Sequence, residues 1–244
     1  MGLTFWDRNA CRDAIAALRS EGIFTPPSLE GTIERPGYAG GSNWGGGAWD
    51  PQRRLLIANV MDLPFVVTLI PRARLGADYD SGKYQDWEYA RMSGTPYAMR
   101  RALLKSPLGA PCTAPPWGKL VALDLARGTI AWETPLGTSR DQAPWPFWTI
   151  RGVPNMGGPL ATAGGLVFIG ATTDDYLRAF DSATGAELWK ARLPAGAQAT
   201  PMSYAVGGRQ YVVVAAGGHA KLGTTRGDYV LAYALPAAEA AAAP

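Results

Sequence analysis

The chain has 244 residues, 47% of them apolar and 18% charged, which is enough hydrophobic content for a buried core and too little charge for a disordered polymer. Its net charge of +3 comes without a block of like charge, so composition gives no reason to invoke a nucleic-acid partner. One His and two Cys cannot build a four-ligand Cys/His zinc site, and any Ser-His-Asp relay would have to run through His219.

Thirty Gly and twenty Pro, with nine Trp and ten Tyr, favour many short strands joined by tight turns, so the fold class expected is all-β. Length alone allows one large domain or two small ones. No apolar run reaches the ~18 residues of a membrane span. The best candidate, Leu55 to Ile70, is interrupted by Asn59, Asp62 and Pro64. The first residues lack the basic-then-apolar order of a secretory signal. Cys11 and Cys112 are compatible with two thiols or with one bridge.

In chain order, Asp7 to Ser20 carries Ala10, Ala14 and Leu18 at helical spacing, with Thr4 and Asp7 disposed as a capping box, and predicts one short helix. Residues 1–36 form this helix and a lead-in strand. A unit starting near Trp44 uses Arg54 to Asn59 and Phe65 to Ile70, and is expected to break off for a long insertion, about 72–117, before Lys119 to Asp124 resumes the pattern. Ala122, Asp124, Gly128 and Trp132 then recur 57 residues later as Ala179, Asp181, Gly185 and Trp189. Asp and Gly build the turn of a hairpin and the Trp sits on its outgoing strand, a structural position. Around the second copy, segments near 157–163, 166–170, 176–180 and 187–192 read as four successive strands, the pattern of a propeller blade. A last unit over 199–235 stops after three strands. About three blades result, and residues 237–244, rich in Ala, are expected to be a disordered tail. Three blades cannot close a ring, so the chain is expected to be part of a longer polypeptide or to assemble with another chain.

The stretches Gly37–Gly47 (GYAGGSNWGGG), Ile57–Asn59 with Leu63–Phe65, Asn155–Pro159 (NMGGP), Phe168–Arg178 (FIGATTDDYLR), Leu193–Met202 (LPAGAQATPM) and Ala216–His219 (AGGH) together resemble the membrane-bound pyrroloquinoline-quinone (PQQ) dehydrogenases of the glucose, quinate and polyol group. The resemblance covers nearly the whole chain and corresponds to the last third of that family's members. It implies residues 37–236 as the C-terminal blades of an eight-bladed quinoprotein β-propeller. PQQ and Ca²⁺ are the implied cofactors, with a sugar or polyol as substrate, ubiquinone as electron acceptor, and the periplasmic side of the inner membrane as location. A carboxylate takes the alcohol proton in that family and hydride moves to the quinone, the metal acting as Lewis acid. Its calcium ligands, base and PQQ-contacting lysine fall upstream, so no metal ligand is assigned here.

Site roles follow from the same resemblance. Asp174 and His219 are the catalytic-region candidates; Asn43, Trp44 and Asn59 are the cofactor-binding candidates. Each has an ordinary reading beside it: a turn carboxylate for Asp174, a loop imidazole for His219, a strand terminus for Asn59, and packing for Trp44. The implied periplasmic location permits a Cys11–Cys112 bridge closing about 100 residues. Two functions stay in view. The first is the C-terminal portion of a PQQ-dependent dehydrogenase, inactive without its N-terminal blades. The second is a non-catalytic propeller module or split subunit completing a partner chain.

Overall fold

The computed structural model describes residues 4–236, and the expected tail at 237–244 lies outside them. In chain order come α1 (Phe5–Ala16), β1 (Thr32–Glu34), β2 (Gly47–Asp50), β3 (Leu55–Met61), β4 (Phe65–Pro71), α2 (Leu75–Asp80), β5 (Glu88–Ala90) and β6 (Tyr97–Leu103). They are followed by β7 (Gly118–Asp124), β8 (Thr129–Pro135), β9 (Leu160–Ala161), β10 (Leu166–Ile169), β11 (Tyr176–Asp181), β12 (Glu187–Arg192), β13 (Met202–Val206), β14 (Arg209–Ala216) and β15 (Tyr229–Tyr233). The strands form four antiparallel sheets, ordered β1-β4-β6-β5, β2-β3-β7-β8, β12-β11-β10-β9 and β13-β14-β15. The all-β, partial-propeller expectation holds. The chain divides into two compact units, one of residues up to 41 with 61–117, the other of 42–60 with 118 onward.

In the first unit, Thr4 caps α1 by accepting a hydrogen bond from the Asp7 N–H at 3.3 Å. The helix ends at Ala16, short of the expected Ser20, because Arg19 leaves it to donate its N–H to Gly31 and bridge to Thr32. Cys11 and Cys112 are joined by a disulfide across 101 residues and packed with Val66 and Leu104 under Ala14, Ile15 and Leu18.

The segment expected to be an insertion supplies two strands of this unit's sheet. β6 pairs with β4 along its whole length, from Phe65 against Leu103 to Pro71 against Tyr97, and β5 adds to its other side. Phe65 to Ile70 therefore does not continue the Trp44 unit, whose sheet takes β7 and β8 instead. The sequence hides β6 because Arg100 and Arg101 interrupt its apolar pattern. Both are neutralised locally: Arg100 pairs with Asp78 and lies 3.7 Å over the Tyr84 ring, and Arg101 pairs with Glu88 and lies 3.4 Å over Tyr38. Burial, then the Asp78 carboxylate, pushes the neighbouring Tyr89 phenol up to about 12.

The second unit is built on the repeated hairpin. Asp124 Oδ1 accepts from the N–H groups of Ala126 and Arg127 at 3.0 Å, and Asp181 Oδ1 from Ala183 and Thr184 at 2.9 Å. Gly128 and Gly185 close the two turns at φ 66° and 72°, and the ladders shift register at the equivalent residues Ala122 and Ala179. Trp132 explains the spacing between copies: its indole N–H donates to Ser182 O at 2.9 Å, so the tryptophan of one hairpin docks on the turn of the next. Two cores result. One joins Leu55, Ile57, Leu120, Leu136, Val167, Ile169 and Phe180; the other joins Leu177, Leu193, Val214 and Ala216.

Replacing Cys11 with Ser should lower the stability of the chain by about 2–5 kcal/mol, read as a shift in urea midpoint under oxidising conditions. The same shift should follow when the unaltered chain is reduced, and thiol titration of the oxidised, denatured chain should find no free cysteine. Equal midpoints with and without reductant would contradict the structural role of the bridge.

Candidate functional site

The loop 170–175 between β10 and β11 concentrates polar groups where a propeller would ordinarily keep a plain turn. Thr172, Thr173, Asp174 and Asp175 are all buried, and Ala171 and Asp175 take φ of 63° and 47°. Left-handed backbone at two residues other than glycine is costly, and it persists only where the surroundings enforce it. Asp174 does the enforcing. Its Oδ1 accepts from Thr172 Oγ1 at 2.6 Å and from Arg178 Nη1 at 2.9 Å. Its Oδ2 accepts from the Thr138 N–H at 2.8 Å, from Thr138 Oγ1 at 2.9 Å and from Arg178 Nη2. Burial pushes the Asp174 carboxyl upward, but the hydrogen bonds and charge of Arg178, with the Thr172 and Thr138 hydroxyls, hold it below the ordinary carboxylate range. With both oxygens engaged, Asp174 ties the loop to β11 and to the segment after β8.

The loop continues into a hydrogen-bonded chain. Gln198 donates from Nε2 to Thr172 O at 3.0 Å and accepts at Oε1 from Thr224 Oγ1 at 3.2 Å; Thr224 Oγ1 in turn accepts from the His219 N–H at 2.7 Å. On the other side, Asn155 bridges to Thr172 and accepts at Oδ1 from Asn59 Nδ2 at 2.7 Å. The Asn155 amide is oriented by Val60 O and Val153 O, both facing its Nδ2. That orientation turns the Asn59 Nδ2 toward Asn155 and leaves Asn59 Oδ1, an acceptor, as the outward atom. One N–H of the Asn59 side-chain amide is engaged by Asn155.

The two ends of this chain, and the loop at its middle, carry unpartnered atoms. Asn59 Oδ1, His219 Nδ1, Thr173 Oγ1 and Asp175 Oδ1 are buried without a hydrogen-bond partner. Orphaned buried polar atoms cost free energy and mark places built for something else to bind. Of the two adjacent carboxylates, Asp174 is fully occupied and Asp175 keeps an open oxygen. The sequence reading named the first and passed over the second. It also passed over Asn155, Thr172, Gln198 and Thr224, although each lies in or beside a stretch it had singled out.

Asn43 and Trp44 lie on the loop before β2. Trp44 is 82% exposed, and its backbone N–H donates to Asn43 Oδ1 at 2.7 Å. The next residue explains the glycine run. A Cβ on Gly45 would stand 2.0 Å from Gly157 O, and one on Gly158 would stand 2.1 Å from Gly45 O, so the two glycine stretches touch backbone to backbone. This contact fixes the Trp44 loop beside the Asn155 segment.

A model of the PQQ family described as glucose/ethanol/alcohol dehydrogenase, beta-propeller domain, matches residues 1–212. The chain belongs to this family. It is 45% identical to the quinoprotein glucose dehydrogenase of Escherichia coli (strain K12) over 96% of this chain and 30% of that protein. It is 43% identical to the quinate/shikimate dehydrogenase (quinone) of Acinetobacter baylyi, again over 96% of this chain and 30% of the relative. The chain thus spans about a third of the length of the curated relatives it matches. Among solved structures, the quinohemoprotein alcohol dehydrogenase of Comamonas testosteroni is similar in fold, with a TM-score of 0.53 at 24% identity over 84% of this chain and 27% of that one.

The residues suit part of such a cofactor's surroundings. Trp44 offers an open aromatic face to a planar ring, and Asn59 Oδ1 and His219 Nδ1 offer buried polar atoms with nothing bonded to them. Among the described residues, no group of three or more His, Cys, Asp or Glu side chains could hold a metal ion.

Asp174→Asn should cost about 3–5 kcal/mol at neutral pH, since it leaves the buried Arg178 with only the partly exposed Glu187 as counter-charge. The folded-state carboxyl titrates below its unfolded value of about 3.9. The wild-type advantage should therefore be complete above that value and shrink as pH falls through the lower folded one. Urea midpoints of both proteins at pH 7 and at progressively lower pH test this, and a difference that does not narrow on acidification would contradict it.

Proposed function

We propose that this chain is the C-terminal part of a PQQ-dependent dehydrogenase that oxidises a hydroxyl of a sugar or polyol, of the glucose or quinate class, and passes the electrons to ubiquinone at the periplasmic side of the inner membrane. The observation that carries the reading is the set of four orphaned atoms, one on β3 and three on loops, along one hydrogen-bonded chain in a member of a PQQ dehydrogenase family. No helix of the described residues is long and apolar enough to cross a membrane, so attachment would depend on other parts of the protein.

The roles follow from the atoms left open. PQQ, when bound, supplies a quinone that accepts hydride, and Ca²⁺, held by residues outside this chain, polarises it. Trp44 would lie against the ring, and Asn43 would hold the Trp44 backbone through the bond it already makes. Asn59 would accept from a donor on the ligand side through Oδ1. His219 Nδ1 would orient a substrate hydroxyl, its backbone fixed by Thr224. Asp174 contributes to this catalytic region as a positioning residue, holding the loop that presents Asp175 and Thr173. The N-terminal blades, in the same or another chain, would supply the remaining contacts.

A non-catalytic or split-subunit role remains the second reading. It is favoured by the sheet β13-β14-β15, which has three strands among the described residues where the others have four.

The test is dye reduction by the polypeptide that contains this chain together with its N-terminal blades, loaded with PQQ and Ca²⁺, against glucose, quinate and glycerol. Turnover of at least one is expected. His219→Ala should raise KM by about tenfold or more, the loss of one hydrogen bond to a hydroxyl, while Asn59→Ala should speed cofactor release. Full-length protein that binds PQQ but oxidises none of the three would overturn the proposed substrate class. Turnover by the present chain alone would contradict its dependence on the missing blades.

A further inference from the structure

A cavity of about 450 Å³ lies in the second unit and is walled by Trp148 and Tyr176, with Arg140, Arg151 and Lys190 around it. None of the orphaned loop atoms lines it. Its charge is out of balance. Arg178 forms part of the wall, but its guanidinium is consumed by Asp174, Thr172 and Glu187. Lys190 shares Glu187 at 3.3 Å. Arg192, which lies 5.1 Å from the Tyr176 ring, is paired with Asp141. Arg140 and Arg151 have no carboxylate partner among the described residues; Arg140 only faces the Trp148 ring at 5.6 Å. Two guanidinium groups without counter-charges around a concave, aromatic-walled space form a receptor for an oxyanion, because each can present a planar fork of donors to it.

We infer that this cavity is a binding site for a multivalent oxyanion, a phosphate or a small polycarboxylate, separate from the alcohol-oxidising site. Arg140 and Arg151 make the primary contacts and Lys190 adds charge. Arg178, the partner of Asp174, also lines the cavity, so an anion held there lies next to a residue of the ion pair that shapes loop 170–175. The inference concerns only this cavity and does not depend on the dehydrogenase reading.

Isothermal titration of the chain at low ionic strength with inorganic phosphate, and separately with citrate, tests the site. Saturable one-to-one binding of either is expected; binding of both marks a general oxyanion site, and binding of citrate alone marks a polycarboxylate site. Arg140→Gln and Arg151→Gln should each weaken binding about tenfold or more. Arg12→Gln, which removes an equal charge from an exposed position in the first unit, should leave it unchanged. Absence of saturable heat with both anions, or equal loss in all three variants, would overturn the inference.

Discussion

The Asp174–Arg178 ion pair is the constraint on which the candidate site rests. A buried pair of charges adds little stability by itself, because desolvation offsets most of the attraction. Its value lies in geometry. Asp174 accepts five hydrogen bonds from Thr172, Thr138 and Arg178, and these hold a loop with two left-handed residues that would otherwise relax. Everything downstream inherits that order: Thr172 O receives Gln198, Gln198 receives Thr224, and Thr224 fixes the backbone of His219.

The architecture around the pair explains how short strands reach such a constellation. Each repeated hairpin is nearly self-sufficient, with an Asp-capped turn and a glycine at positive φ. Neighbouring sheets are then locked by side chains that cross between them, Trp132 onto Ser182 being the plainest case. Because the cores lie between sheets, the connecting loops are free to carry polar groups, and there three of the four orphaned atoms of this unit gather, the fourth being Asn59 Oδ1 on β3.

Much of this was legible in the chain. The 57-residue repeat marks the two hairpins because Asp and Gly at their turns have direct conformational work to do. Thr4 and Asp7 announce the helix start in the same way. Strand β6 was not legible, since Arg100 and Arg101 look incompatible with a sheet until Asp78, Glu88, Tyr84 and Tyr38 are folded around them. Nor was the partner of Asp174. Four residues of extended chain would hold Asp174 and Arg178 about 13 Å apart, and only the left-handed turn at Asp175 brings them together. The assignment of the outward atom on Asn59 likewise depends on Asn155, 96 residues away, which no local pattern reveals.

A crystal structure of the full-length protein with PQQ and an alcohol bound tests the central claim most directly. It should show ligand atoms within hydrogen-bonding reach, about 3.2 Å, of Asn59 Oδ1 and His219 Nδ1, with Asp174 still engaged by Arg178. A structure in which cofactor and alcohol lie away from both atoms, leaving them bare, would contradict it.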